Sequence, residues 1–313
     1  MSSRQRIIII TGPTATGKSN LGVMLAKEID GEIISADSMQ VYKNMDIGTA
    51  KLTKEEMCGV SHHLIDFISP LDDYSVARYV ADAAICISDI IKRGKQPIIV
   101  GGTGLYIDSL IKGRGFLARG DNNLRKDLEN EFNLVGGEAM LKKLHDVDAE
   151  SAAKLHSNDK KRIVRALESF YTTGKTISQH DIESKTLLPK YDAIKFSLNF
   201  TQRDELYSRI DKRVDNMIKS GLENEVFALK EMGVTCNNTS MQAIGYKEIF
   251  GALTNGESIQ SVVETIKMES RRYAKRQLTW LRRDENVMWI FWDKSPDFYY
   301  GLDRISEHMR GAG

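Results

Sequence analysis

Four isoleucines in a row, Ile7 to Ile10, are followed at once by a change of period. A short uninterrupted apolar run ending in a Gly-Pro turn predicts a strand buried on both faces. From Asn20 to Glu28 the apolar positions Leu21, Met24 and Leu25 share one side at helical spacing. The alternation then repeats. Glu32–Ala36 reads as a short strand, and Val76–Arg93 carries Val76, Tyr79, Val80, Ala83, Ile87, Ile90 and Ile91 at helical spacing. Gln96–Val100 is another apolar strand. Strands alternating with helices predict a parallel sheet covered on both faces. Past Gly113, Gly115 and Gly120 the strand runs stop, and Leu124 to about Gln179 is charged and helix-patterned. Leu188-Pro189 breaks that stretch and Ala193–Phe200 returns as a strand. Helical spacing resumes over Arg203–Met232 and Ser258–Arg283, before a last strand at Val287–Trp292. The expected architecture is an α/β core, residues 1–114 and 196–313, carrying an inserted all-helical domain at 115–195.

The turn after the first strand is the most specific chemical signal. Gly12-Pro13-Thr14-Ala15-Thr16-Gly17-Lys18-Ser19 fits the phosphate-loop pattern G-x-x-x-x-G-K-[ST] without a gap, between a predicted strand and a predicted helix. In such a loop backbone N–H groups turn inward around a phosphate at a helix N-terminus. Lys18 would add a point charge and the Ser19 hydroxyl would bind Mg²⁺. The core is therefore expected to be a P-loop-containing parallel sheet flanked by helices. In open parallel sheets, ligands gather at the carboxyl ends of the strands. The second strand ends at Asp37, and the third runs into Gly101-Gly102-Thr103-Gly104. If these ends adjoin, Lys18, Ser19, Asp37 and Thr103 line one pocket with a phosphate clamp, a carboxylate base and a hydroxyl donor. Asp37 alone would equally suit a helix N-cap or a Mg²⁺ ligand. Gly101–Gly104 fits a dinucleotide fingerprint poorly, and His62-His63 lacks partners at metal spacing, which favours a structural or pocket-wall role.

Composition narrows the setting. The 313 residues are 41% hydrophobic and 28% charged, as in ordinary globular proteins. No apolar run approaches membrane-spanning length, no secretory h-region opens the chain, and Cys58, Cys86 and Cys236 are scattered. A cytoplasmic protein without membrane contact is expected, and a monomer, since nothing in the sequence asks for a second subunit. A formal charge of +1 excludes global attraction to nucleic acid and leaves local patches. Two exist. Arg271, Arg272, Lys275, Arg276, Arg282 and Arg283 crowd one predicted helix, with Arg272, Arg276, Thr279 and Arg283 on one stripe and Ala274, Leu278 and Leu281 on an apolar face. Most charge runs are solvated faces, but a stripe of arginines also suits RNA phosphates and bases. Lys160-Lys161-Arg162 with Arg165 forms a second group in the helical stretch.

These motifs together resemble the tRNA dimethylallyltransferases, also called tRNA isopentenyltransferases, nearly end to end. Gly12–Ser19 is similar to the family's GPTASGKT loop, with Thr16 and Ser19 keeping the hydroxyls. Asp37–Tyr42 and Asp46–Lys51 resemble DSMQVY…DIGTAK, His62–Asp66 resembles HHLID, and Val100–Tyr106 resembles VGGTGLY. Lys161–Glu168 is similar to R-x-x-RALE, Gln242–Lys247 to the IGY(K/R) turn, and Lys275–Arg282 to KRQxTWLR. The zinc-finger extension of eukaryotic members has no counterpart, which implies the bacterial type.

The resemblance implies transfer of a dimethylallyl group from dimethylallyl diphosphate to N6 of the adenine just 3′ of the anticodon, in tRNAs reading codons that begin with U. The phosphate loop would then hold the diphosphate with Mg²⁺ on Ser19. Lys18 and Arg213 (Arg209 as second candidate) would neutralise it, Asp37 would accept the N6 proton, and Thr103 would hydrogen-bond nearby. The anticodon stem-loop would meet Asp37, Ser38, Met39, Gln40, Thr103 and Arg125. Further implied RNA contacts are Lys161, Arg162, Ile163, Val164 and Arg165, then Gln242, Ala243, Ile244, Gly245, Tyr246 and Lys247, and finally Arg272, Lys275, Arg276, Gln277, Trp280 and Arg282. Three other readings compete: an adenylate isopentenyltransferase acting on free nucleotide, a P-loop small-molecule kinase, and a non-catalytic RNA-binding module.

Overall fold

The computed structural model describes residues 4–113, 122–186 and 188–311, so the expected composition shift at Gly115 and Gly120 lies outside the described residues. Strand β1 (Arg6–Thr11) leads through the Gly-rich loop into helix α1 (Lys18–Glu28), followed by β2 (Gly31–Ser35) and β3 (His62–His63). Helix α2 (Val76–Lys92), β4 (Gln96–Val100) and α3 (Gly104–Lys112) complete the first half of the core. After the insertion come β5 (Asp192–Phe200), β6 (Val287–Trp292) and the remaining core helices. The six strands form one parallel sheet in the order β3-β2-β4-β1-β5-β6. Strand β1 is central, with Ile8 opposite Ile98 of β4 and Ile194 of β5.

Because side chains alternate along a strand, the isoleucine run supplies two cores at once. Ile7 and Ile9 join Ile34, Ile99 and Tyr79 on one face, whereas Ile8 and Ile10 join Leu21, Ile33, Ile98 and Trp292 on the other. All four isoleucines are fully buried, which is why an unbroken apolar run, rather than an alternating one, marks this strand.

The chain divides into two compact units, Met1–Ile111 with Lys190–Gly313, and Lys112–Pro189. The expected insertion boundary at residue 195 is too late. Strand β5 begins at Asp192, where it pairs with Arg6 of β1, so residues 190–195 belong to the core. The second unit contains α4 (Asn122–Val135), α5 (Gly137–Val147), α6 (Ala149–Ala152), α7 (Lys160–Thr173) and α8 (Ile177–Thr186). These helices surround their own core of Leu128, Met140, Leu144, Ile163, Val164 and Leu167.

Core helices α9 (Arg203–Lys219), α10 (Leu222–Glu231), α11 (Tyr246–Asn255), α12 (Gln260–Leu281) and α13 (Phe298–Gly311) follow β5. Two of these, α11 and α13, and the two-residue β3 have no counterpart in the sequence reading. No helix among the described residues is long and apolar enough to cross a membrane.

Candidate active site

Strands β2, β4 and β1 are neighbours, so their carboxyl ends bring Asp37, the Gly101–Gly104 turn and the phosphate loop together. Gly12 takes a φ of +140°, and a Cβ there would sit 2.5 Å from the Leu198 carbonyl oxygen. Only glycine lets the loop leave β1 along this path. The loop is braced from outside. The Trp292 indole Nε1 donates to the Thr16 carbonyl (2.9 Å), Arg209 Nε donates to the Ala15 carbonyl (3.1 Å), and Gln277 Oε1 accepts from the Thr14 N–H (3.0 Å). Within the loop, Thr16 Oγ1 and Lys18 Nζ both donate to the Pro13 carbonyl at 2.8 Å. Helix α1 begins at Lys18 with left-handed Gly17 as its N-cap, and the first-turn N–H groups have no partner within the helix.

Two cavities of about 300 Å³ each meet at a shared wall of Thr14, Asp37, Thr49, Arg213 and Tyr273. The first is polar and holds Lys18, Ser19, Gln40, Lys51, His62, Gly101 and Gly102. The second is mainly apolar, with Met39, Ile210, Val214, Met217, Ile244 and Ile266, and it opens beside Ser270 and Arg276.

Lys18, Arg213 and Lys51 line the polar chamber, Lys51 already held by Asp46 and Asp66. Burial, and then the neighbouring Arg213 guanidinium, push the Lys18 ammonium down to about 7, with Asp37 opposing. Burial also lowers Arg213, again opposed by Asp37. Paired cations held against such a cost form a receptor for a multiply charged anion. Arg213 lines both chambers and donates to the Thr49 carbonyl (3.3 Å). Arg209 stacks on Phe200 and holds Ala15 from behind, so of the two expected arginines Arg213 is the one that lines the chambers.

Asp37 Oδ1 accepts from the N–H groups of Met39 (2.8 Å) and Gln40 (3.3 Å), closing a local turn. Its other oxygen has no hydrogen-bond partner among the described residues. Thr103 Oγ1 accepts from the Ser38 N–H (3.1 Å) and donates to Ser38 Oγ (3.4 Å), and burial and the Asp37 charge raise the Tyr273 hydroxyl to about 12. Ser19 Oγ is also unpartnered among the described residues. No group of three or more His, Cys, Asp or Glu among them could hold a metal. A Mg²⁺ ion here would therefore rest on a hydroxyl, at most one or two carboxylate oxygens, water and ligand phosphate, a donor set that suits it. His62 forms a wall of the polar chamber, bonded through Nδ1 to the Val60 carbonyl (2.8 Å), while His63 turns away to Glu32 (2.8 Å).

The family model for IPP transferase matches residues 40–284. The chain belongs to this family. It is 47% identical over 308 residues to a tRNA dimethylallyltransferase of Thermoanaerobacter, covering 98% of each chain. The solved tRNA isopentenylpyrophosphate transferase of Bacillus halodurans is 41% identical with a TM-score of 0.74, over 98% of this chain and 96% of that one. A eukaryotic dimethylallyltransferase, solved acting on tRNA, is 32% identical with a TM-score of 0.79, over 93% and 74%.

Several segments shared in pattern with the IPP transferases are internal struts, among them the Gln242–Lys247 turn, where RNA contacts were expected. The Tyr246 side chain is fully buried, and its hydroxyl donates to Glu225 Oε1 (2.5 Å). Glu225 in turn accepts from the N–H groups of Asp46 (2.9 Å), Ile47 (2.8 Å) and Gly48 (3.2 Å). The DIGTAK segment and the IGY turn are thus fastened by one carboxylate that nothing in the sequence singled out. Lys51 adds a second knot, donating to the Tyr42 carbonyl (2.5 Å), Asp46 (2.7 Å) and Asp66 (2.7 Å). Ile163 and Val164 are buried in the insertion core, and Ala243 and Gly245 are buried too. Gln277 and Trp280 point inward: Trp280 Nε1 donates to Asp108 Oδ2 (2.7 Å), and a Cβ on Gly104 would overlap the indole. The side chains of Tyr246, Ile163, Val164 and Gln277 are thus buried inside the protein, and Ala243 lines the apolar chamber beside Ile244.

Other expected RNA residues do face outward. Arg272, Lys275, Arg276, Thr279, Arg282 and Arg283 are exposed, above buried Ala274 and Leu281. Arg271 is held by Asp211 (2.5 Å) and Arg272 by Glu269 (2.6 Å), whereas Lys275, Arg276, Arg282 and Arg283 have no ion pair among the described residues. Gln242 and Lys247 are exposed, and Ile244 walls the apolar chamber. In the insertion Arg125, Lys161, Arg162 and Arg165 are exposed, with Arg125 paired to Glu129 (3.2 Å) and Arg165 to Glu168 (2.9 Å).

Proposed function

We propose that this IPP transferase moves a dimethylallyl group from dimethylallyl diphosphate to the exocyclic N6 amine of the adenine just 3′ of the tRNA anticodon, in tRNAs reading codons that begin with U. The observation that carries this reading is the shared wall, where Asp37 and Arg213 stand between a cationic chamber and an apolar one. An allylic diphosphate and a nucleobase need one of each.

In the reaction the C1–N6 bond forms as the C1–O bond breaks, and the leaving diphosphate takes the electron pair. Charge builds on its oxygens, where Lys18, Arg213 and the phosphate-loop N–H groups stabilise it. Mg²⁺ bound with Ser19 would supply further charge stabilisation. The attacking amine is too weak an acid to be deprotonated first, so Asp37 takes its proton during or after attack, through the oxygen left free by the local turn. Thr103, fixed by the N–H and hydroxyl of Ser38, orients the groups beside Asp37.

The adenine must leave its stack to enter, which costs a few kcal/mol. Phosphate contacts from Lys275, Arg276, Arg282 and Arg283 on α12, and from Lys161, Arg162 and Arg165 on α7, offset that cost. The test is incorporation of radiolabelled dimethylallyl diphosphate, with Mg²⁺, into unmodified anticodon stem-loop RNA and into AMP. Label in RNA alone, lost when the target adenine is replaced, is the expected result. Label in AMP would move the enzyme to free nucleotide, and ATP hydrolysis without label would leave a phosphate loop with different chemistry.

A further inference from the structure

The carboxamide of Gln277 lies at a junction that RNA contact does not explain. Its residue is 7% exposed, on the inner side of α12. Oε1 accepts from the Thr14 N–H of the phosphate loop (3.0 Å), and Nε2 donates to the Gly102 carbonyl (2.9 Å). Thr14 lies 263 residues away in sequence and Gly102 lies 175 away. A Cβ on Gly102 would overlap Nε2, so the second glycine of VGGTG leaves room for this side chain. One residue toward the N-terminus, Arg276 faces outward and borders the apolar chamber. The helix with the exposed arginine stripe is thus hydrogen-bonded to both loops that form the polar chamber.

We propose that Gln277 is a positioning residue for the diphosphate site, fixing the phosphate loop against the Gly101–Thr103 turn so that loop and turn address the same diphosphate. Its side chain then belongs to the anion site, although its neighbours on the helix belong to the RNA face. An amide is suited to this place because it satisfies one donor and one acceptor at once, and no apolar or charged side chain of similar size does both. Without it, a buried N–H and a buried carbonyl lose their partners, and the loop relaxes by an amount that matters to a closely fitted ligand.

The inference rests on the proposed diphosphate site and is tested without turnover, by calorimetric titration of inorganic pyrophosphate with Mg²⁺ into the intact protein. Gln277→Leu is expected to weaken pyrophosphate binding about tenfold or more. Binding of catalytically inert stem-loop RNA should stay within about twofold, because the exposed cations are unchanged. Gly102→Ala, which displaces Nε2 from the other side, should reproduce the pattern, and it serves if the first variant folds poorly. In steady-state assays the same variants should raise KM for dimethylallyl diphosphate while leaving KM for RNA in place. Unchanged pyrophosphate affinity in both variants, or an RNA affinity that falls while pyrophosphate affinity holds, would overturn the proposal. Failure of the wild-type protein itself to bind pyrophosphate would overturn the diphosphate reading and this inference together.

Discussion

Lys18 makes the affinity for diphosphate depend on pH in a calculable way. In the free protein its pKa is lowered to about 7 by burial and by Arg213, and the diphosphate binds the ammonium form. Above pH 7 the free site is mainly neutral, and binding must first add a proton. The apparent Kd then rises by a factor of one plus ten to the power pH minus pKa, about tenfold at pH 8 and little at pH 6. That is roughly 1.4 kcal/mol for one pH unit. Calorimetric titration with pyrophosphate at pH 6, 7 and 8 measures it. Repeating the titration in buffers of different ionisation enthalpy counts the protons taken up, with about 0.9 expected at pH 8 from this group. Pyrophosphate has its own protons, so the reference is Lys18→Arg, which keeps the charge and does not titrate in this range. The difference between the two proteins isolates Lys18. Parallel pH profiles and equal proton uptake in wild type and Lys18→Arg would refute the reasoning, because an ammonium already charged at pH 8 owes nothing to binding.

Asp37→Asn keeps an oxygen to accept from Met39 and Gln40 but removes the base. Turnover should vanish while stem-loop affinity, followed by fluorescence anisotropy, changes little; equal loss of both would remove Asp37 from proton transfer. Replacing Arg276 and Arg282 by Ala should weaken RNA binding and reduce the slope of log K against log salt by roughly 1.5; a rise confined to the diphosphate KM would end the RNA reading of α12. Buried Glu32, bonded to Arg93 and His63, has its pKa lowered to about 2. Its stabilisation is present above the unfolded carboxyl pKa near 4.5 and is lost as pH falls through about 2, a loss of up to about 3 kcal/mol. Glu32→Gln should flatten the acid limb of the thermal melting curve, and an unchanged limb would assign it to other carboxylates.

The sheet was legible because β1, β4 and β6 carry apolar runs, β2 carries Ile33-Ile34, and β5 alternates Ile194, Phe196, Leu198 and Phe200 with polar residues. The adjacency of three of them brings Lys18, Ser19, Asp37, Gly101 and Gly102 to one chamber, whose lining does not include Thr103. Strand β3 escaped notice because two half-buried histidines carry no periodic signal. Helix α13 begins with exposed Tyr299 and Tyr300, which blur its apolar face. The inward turn of Gln277 did leave a trace. It falls three residues after Ala274 and four before Leu281, on the apolar side of the helix, and spacing outweighs polarity here because buried partners await the amide. Ile163 and Val164 were similarly marked by being apolar within a basic segment. Glu225 left no trace, since its partners at Asp46 to Gly48 are fixed only by the tertiary fold.

The outer bracing of the phosphate loop sets a timetable for synthesis. The loop leaves the ribosome among the first twenty residues, yet its braces are Arg209, Gln277 and Trp292, and its strand lies between β4 and a partner that begins only at Asp192. Contacts this distant in sequence form late. A nascent chain carrying the complete G-x-x-x-x-G-K-S signature therefore still lacks the outer braces of its loop. The loop gains its full bracing only when α9, α12 and β6 have docked, so the proposed RNA face and the proposed diphosphate loop are completed in the same folding step.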